Sequence, residues 1–411
     1  MGNAIRPAGR RAGAAAAALT AAVLLASCSP GAGAGHAAGQ RHPSASGAPD
    51  GAAGGGRGAH GGHGRAAQPP PAAPLRDSER FVDLALPRPY TPQAPAGATD
   101  EYRCFLLDPG LKERAFLTGS QFLPQNTGLV HHAIIFRVGP RAAEQAEKAD
   151  AAAPGDGWTC FGNAGFDDGA WIGHWAPGAD ETLLKQKVGY PMPPGSRLVV
   201  QVHYNLLATG GEPAGSDRSG IRLRLADGTS DLAPLDTALI TAPVELPCAP
   251  GESGPLCERG AAVRDVAARF GDQAMAMVDV LNRFCSGGRP PAAGPTQRCD
   301  RRTDRAGTVY AAAGHMHLLG RSIKVELNPG TPGAKTLLDI PNYDFDEQAV
   351  RPLPEPVAVK AGDTFRVTCT HDAGLRAKLP ALRGLPPRYV VWGEGTSDEM
   401  CLGLLVWSPA A

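Results

Sequence analysis

From about residue 75 onward the sequence is a succession of short apolar or alternating runs broken by Gly, Pro, Asp and Asn, and this punctuation limits the fold more than any other feature. Runs this short suit strands, because side chains alternate faces along an extended chain and one buried face needs only every second position. They predict strands over residues 103–107, 129–138, 198–205, 221–225, 308–313, 322–327, 364–369, 389–392 and 402–407. Many short strands with regular turn signals imply an all-β fold of antiparallel β-sandwiches. One stretch departs from that rhythm: between Cys257 and Cys285, the residues Val263, Val266, Ala267 and Phe270 recur at helical spacing and read as a helical insertion. A chain of 411 residues is too long for one core, so we expect two β domains, 75–234 and 235–411.

The N-terminus has its own logic. Arg6, Arg10 and Arg11 precede a short apolar run, 14–25, that ends in Leu25-Ala26-Ser27-Cys28. A basic segment, a short hydrophobic core and a small-residue ending make an export signal, too short to stay as a membrane span. The ending resembles a bacterial lipobox, so residues 1–28 are expected to be a lipoprotein signal peptide with Cys28 as the lipidation site; the alternative is a plain secretory signal. The first reading places the protein on the outer face of the cell membrane, touching it through a lipid anchor only. Residues 29–74 are rich in Gly, Ala and Pro, bury too little to fold, and read as a disordered tether whose His36, His42, His60 and His63 are solvated. Eight cysteines remain, an even number that behind an export signal implies disulfides. Those among Cys248, Cys257, Cys285 and Cys299 are expected to staple the insertion, in a pairing the spacing leaves open. Lysine plus arginine equal aspartate plus glutamate at 40 each, so no net field draws nucleic acid.

The histidines carry the chemistry. His315 and His317, two apart in a segment that reads as a strand, point to one side and offer half a metal site. His131 and His132 are adjacent on an apolar strand, where neighbours face opposite ways, so both reach one metal only at a strand end or bulge or through different ring nitrogens. His203 closes the apolar run 198–203 and is a candidate third imidazole. Met400 sits between two carboxylates and Cys401; a thioether added to two imidazoles favours copper over zinc.

Taken in order, His131-His132, Gln201-Val202-His203-Tyr204, His315-x-His317 and Gly395-Thr396-Ser397-Asp398-Glu399-Met400-Cys401 resemble the copper type II, ascorbate-dependent monooxygenases, the family of peptidylglycine α-hydroxylating monooxygenase and dopamine β-monooxygenase. Trp175-Ala176-Pro177-Gly178 and Ser219-Gly220-Ile221 support the resemblance, which runs from about residue 102 to 407. It implies two jelly-roll-like domains across an open cleft, each holding one of two coppers per subunit. His131, His132 and His203 would hold an electron-storing copper. His315, His317 and Met400 would hold the catalytic copper, where O2 reacts with a substrate C–H bond, with ascorbate or another external reductant as co-substrate. It also implies disulfides Cys104–Cys160 and Cys369–Cys401. Where the peptide-amidating branch has an arginine two residues before the first histidine of His-x-His, this chain has Ala313. Where that branch has an asparagine and a tyrosine after the methionine, it has Leu402 and Leu404. A peptidylglycine is therefore not the expected substrate; a less polar small molecule or peptide is. His174 and His371 are expected in structural or supporting roles, and Asp398 and Glu399 as groups that order their loop. The competing readings are a copper-handling lipoprotein without turnover and a β-sandwich interaction module.

Overall fold

The computed structural model describes residues 71–410 apart from 96–97, 177–178, 186, 207–208, 346 and 396. The signal segment, Cys28 and nearly all of the tether lie outside the described residues, as do Pro177, Gly178 and Thr396 of the motifs above.

Twenty-one strands form five sheets among those residues, and no strand before Leu235 shares a sheet with one after it. In the first half a five-stranded antiparallel sheet runs Trp158–Thr159, Asp100–Leu107, Arg197–Asn205, Val130–Val138, Gly169–Trp175. Its second to fourth strands are buried almost throughout, so they read as near-continuous apolar runs. A six-stranded sheet built on Gly220–Asp227 and Ala115–Leu123 packs into the same core. The second half pairs Asp236–Thr241, Leu402–Pro409, Gly307–His315 and Arg351–Val359 in one sheet, and Thr296–Arg302, Thr364–His371, Gly320–Leu327 and Lys335–Ile340 in another. Thr364–His371 shows the half-buried alternation, with Phe365, Val367, Cys369 and His371 turned inward.

The all-β expectation holds, with local differences. The helix Pro140–Ala152 was not expected, because its buried stripe is Ala142, Ala143 and Ala146, too weakly apolar to mark a period; Pro140 in its first turn is the visible signal. The 389–392 run contributes only the two-residue strand Val390–Val391. The strand carrying the His-x-His pair ends at His315, so His317 lies in the following turn.

The insertion is a helical hairpin, Arg259–Phe270 and Asp272–Ser286, turning at Gly271 with a φ of 85°. Glu258 caps the first helix by accepting from the Gly260 and Ala261 amides. Disulfides Cys248–Cys257 and Cys285–Cys299 fix its two ends, which settles the pairing the spacing left open. Cys104–Cys160 and Cys369–Cys401 are joined as the resemblance implies. One hydrophobic cluster runs from Phe105 and Val200 through Leu235 to Val263 and Leu404, so the two halves share a core and the sites on them have fixed neighbours. Among the described residues no helix is long and apolar enough to cross a membrane.

Candidate metal centres

The strands Val130–Val138 and Arg197–Asn205 pair with a register shift between Val130 and His132, which places His131 in a bulge and sets His132 opposite His203. The bulge removes the difficulty of adjacent histidines, because the extra residue re-aims one side chain without breaking the ladder. His132 Nδ1 then lies 3.4 Å from His131 Nδ1 and 3.2 Å from His203 Nδ1. All three rings are buried, and their ligand atoms lie within 4.8 Å of one another.

The residues around them hold the rings in place. Tyr102, opposite His203 on the neighbouring strand, stacks on it with ring centroids 4.3 Å apart and planes 6° from parallel. Asp100, two residues earlier and itself buried, accepts from His203 Nε2 at 3.0 Å, which directs the Nδ1 lone pair toward the other histidines. Phe345 stacks on His131 with centroids 5.1 Å apart. Burial, and then the neighbouring imidazoles, hold His131 and His132 well below the usual histidine pKa; burial lowers His203 as well, against the opposing pull of Asp100.

This donor set fits a metal ion. Three neutral imidazoles are the protonation state a metal requires. Metal–nitrogen bonds of about 2.0–2.1 Å put paired ligand nitrogens roughly 3.3–3.6 Å apart, close to the spacing here. The Nε2 atoms of His131 and His132 are also buried with no hydrogen-bond partner among the described residues, so the polar contacts of these two rings lie within the cluster.

The second set is assembled differently. In the ladder between Gly307–His315 and Leu402–Pro409, His315 pairs with Leu402, so His317 and Met400 leave the same end of the same two strands. The His315 and His317 rings lie 5.3 Å apart, centroid to centroid. His315 Nδ1 meets Gln348 Oε1 at 2.5 Å, and His317 Nδ1 meets the Asp398 carbonyl at 3.1 Å, contacts that orient both rings. Met400 is fully buried, and its carbonyl accepts from His371 Nε2 at 3.3 Å.

Two carboxylates hold this end together, in the loop-ordering role expected of them. Glu399 accepts from the amides of His317 at 2.8 Å and Leu319 at 2.5 Å, tying the histidine turn to the methionine loop. Asp398 is bound by both terminal nitrogens of Arg269, on the insertion helix, at 2.8 and 2.7 Å. Burial works to raise both acids, but Arg269 and Arg388 at Asp398, and His371 and His317 at Glu399, overcome it and keep their pKa values below the usual carboxylate range.

The two sets meet. The resemblance implies an open cleft, whereas His132 and His315 line one narrow cavity of about 40 Å³ with Ala313, Leu402 and Leu404 on its wall. Gln348 narrows it by bridging His315 and His174, whose Nε2 donates to the Gln348 carbonyl at 3.2 Å. Asp100, Tyr102, Phe345 and Gln348 escaped sequence reasoning; only the strand register could have pointed to the first two. His174 and His371 take supporting places, and Tyr204 donates to Asp217 at 3.1 Å beside its neighbour His203.

Comparison with known proteins bears on the second set. Residues 295–411 match the copper type II ascorbate-dependent monooxygenase family, C-terminal domain. The matched segment contains His315, His317 and Met400 and stops short of His131, His132 and His203. It is evidence for a copper-dependent, monooxygenase-like protein. A 102-residue stretch is 33% identical to the Homo sapiens protein named "Putative DBH-like monooxygenase protein 2", spanning 25% of this chain and only 18% of that relative. Among solved structures, the infectious bursal disease virus VP2 subviral particle aligns over 82% of this chain and 75% of its own at 9% identity and a TM-score of 0.17. A vicilin from Solanum lycopersicum aligns over 81% and 75% at 6% identity and a TM-score of 0.14. Likenesses that slight carry no argument.

Proposed function

We propose that the protein is a two-copper monooxygenase that hydroxylates a substrate C–H bond with O2 and an external reductant such as ascorbate. The observation that carries the proposal is the cluster of three buried imidazoles, one of which, His132, lines the same narrow cavity as His315, in the segment that matches the family. His131, His132 and His203 would hold one copper; His315, His317 and Met400 would hold the other. Bound copper supplies one-electron redox chemistry and activation of O2, which the side chains of this protein cannot provide. In the net reaction one oxygen atom enters the C–H bond and the other leaves as water, taking two electrons from the reductant and two protons.

The chain's own part is to position and exclude. Asp100 and Tyr102 fix His203, and the bulge at His131 turns a strand into a ligand platform. Glu399 and Asp398 hold the Met400 loop against the His317 turn. A soft thioether, joined to the two imidazoles, would suit Cu(I). Apolar Ala313, Leu402 and Leu404 keep water from the space beside His315. Four disulfides suit an oxidising compartment and an exported protein, lipid-anchored at Cys28, with residues 75–234 and 235–411 as its two copper-binding domains.

Copper-loaded protein should consume O2 when given ascorbate and a turned-over substrate, and label from 18O2 should appear in the product. Two tightly bound coppers with no reductant-dependent O2 uptake on a broad substrate panel would instead favour a copper-handling protein.

A further inference from the structure

The strand Asp100–Leu107 turns Asp100, Tyr102 and Cys104 to one side, because alternate residues share a face. Asp100 and Tyr102 both serve His203, and Cys104 is joined to Cys160, whose neighbour Phe161 meets the Tyr102 ring edge-on with centroids 5.6 Å apart. Phe161 in turn packs edge-on against Phe270, the last residue of the first insertion helix, also at 5.6 Å. The Tyr102 ring is therefore held between His203 and Phe161, with the residue only 1% exposed, and this fixes where its hydroxyl points. The hydroxyl reaches into the second half of the chain. There it donates to the Glu394 carbonyl at 2.8 Å, a buried bond between residues 292 apart in sequence.

Stacking on His203 alone would be served by phenylalanine. A buried hydroxyl is costly without a partner, so the Glu394 carbonyl accounts for the one group that distinguishes tyrosine here. Glu394 opens the turn that ends in Met400, and that turn is tight. The Asp398 amide donates to the Gly395 carbonyl at 2.8 Å, the Gly395 amide to Asp398 Oδ2 at 3.0 Å, and the Gly393 amide to the Glu399 carbonyl at 3.1 Å. A side-chain carbon added at Gly393 would lie 2.8 Å from the Asp398 Cβ, so the turn has no room to absorb a shift at its root. A bond to Glu394 therefore bears on Asp398, whose carbonyl orients His317, and on Met400.

We propose that Tyr102 is a positioning residue for both centres. Its ring holds His203 in the first, and its hydroxyl, bound to the Glu394 carbonyl, holds the Met400 turn of the second from the opposite half of the chain. One side chain thus sets where the two centres stand relative to each other. The proposal rests on the two-copper reading for the identity of what is positioned.

The test is Tyr102→Phe in the full chain, which keeps the ring and removes the hydroxyl. Cu(I) affinity is measured by chelator competition in two backgrounds, His131→Ala, which leaves the second centre, and His317→Ala, which leaves the first. Loss of one hydrogen bond should weaken the second centre roughly three- to tenfold, whereas the first, against which Tyr102 lies, should keep its affinity. Tyr102→Leu, which removes the ring as well, should weaken both. An unchanged second centre in Tyr102→Phe, or an equal loss at both, would overturn the proposal; a merely structural role would lower the thermal midpoint without that selectivity. Copper-free protein supplies an independent readout. Hydrogen exchange of the peptide 393–401 should quicken in Tyr102→Phe while the strand Arg197–Asn205 exchanges as in the wild type, and unchanged exchange of 393–401 would equally overturn the proposal. The two readings fail separately. Quickened exchange in a chain that takes up fewer than two coppers supports the tie and sinks the two-copper reading; two coppers bound with exchange unchanged sinks the tie alone.

Discussion

The two candidate centres solve the same problem by different means. The first is built into a sheet: its histidines stand on two paired strands, a single bulge aligns them, and stacking and one carboxylate complete the support. The second stands where two strands end, and it depends on the Glu399 clamp and on an ion pair reaching in from the inserted helical hairpin. A ladder of backbone hydrogen bonds holds side chains rigidly but leaves little room beside them. Strand ends leave room, and the cavity beside His315 occupies it. On the proposed function, that difference would suit the first centre to storing electrons and the second to admitting a substrate.

That contrast can be broken by substitution. The largest effect is expected at Met400→Ile, which keeps the buried volume but removes the sulfur. Product formation should fall by more than the roughly 10–100-fold that loss of a supporting partner costs, while the thermal midpoint stays near that of the wild type. Activity close to wild type would remove Met400 from the ligand set.

Next is Arg269→Met, which removes the two hydrogen bonds of Arg269 to the buried Asp398 carboxylate and leaves it Arg388 at 3.6 Å. Breaking one side of a buried pair costs about 3–5 kcal/mol, so with Arg388 still in place chemical denaturation should show a loss below that range. Copper should be lost from the second centre while the three-histidine centre keeps its own. Equal loss from both would show that the centres are not independently supported.

Asp100→Asn should act on the opposite side. It weakens the hold on His203 and should lower copper affinity at the first centre roughly 10–100-fold, leaving the second unchanged.

The smallest effect on copper is expected at Glu79→Gln, on the sheet that carries no ligands. Burial raises the Glu79 carboxyl, but the Arg76 amide, the Thr118 hydroxyl and Arg224 overcome this and hold its pKa below the ordinary value. A depressed carboxylate pKa stabilises the fold above the unfolded pKa, and that contribution is lost as pH falls through the folded value. The substitution should therefore cost about 1.5–3 kcal/mol at pH 7, with the deficit shrinking on acidification below the ordinary carboxylate pKa. A deficit that grows in acid would reverse the sign assigned here. Copper content should not change.

The contrast also marks what the sequence made legible. The candidate ligand types and their order were visible because His and Met are scarce and their spacings unusual, and the strands were visible because apolar runs such as 198–203 are broken by turn residues. The bulge at His131 is set by pairing with a strand about seventy residues away, so the doublet alone left its geometry open. Asp100 and Tyr102 support His203 only through strand register, and Gln348 and Phe345 reach their histidines from a stretch without secondary structure. The Pro140–Ala152 helix hid because alanine buries too little surface to leave a period.

The most direct measurement is copper stoichiometry with X-ray absorption on the full chain loaded anaerobically with Cu(I). The expected result is two coppers per chain and a copper–sulfur contribution that vanishes in Met400→Ile while the imidazole signal persists. One copper or none per chain, or a sulfur signal that survives the substitution, would contradict the two-centre account.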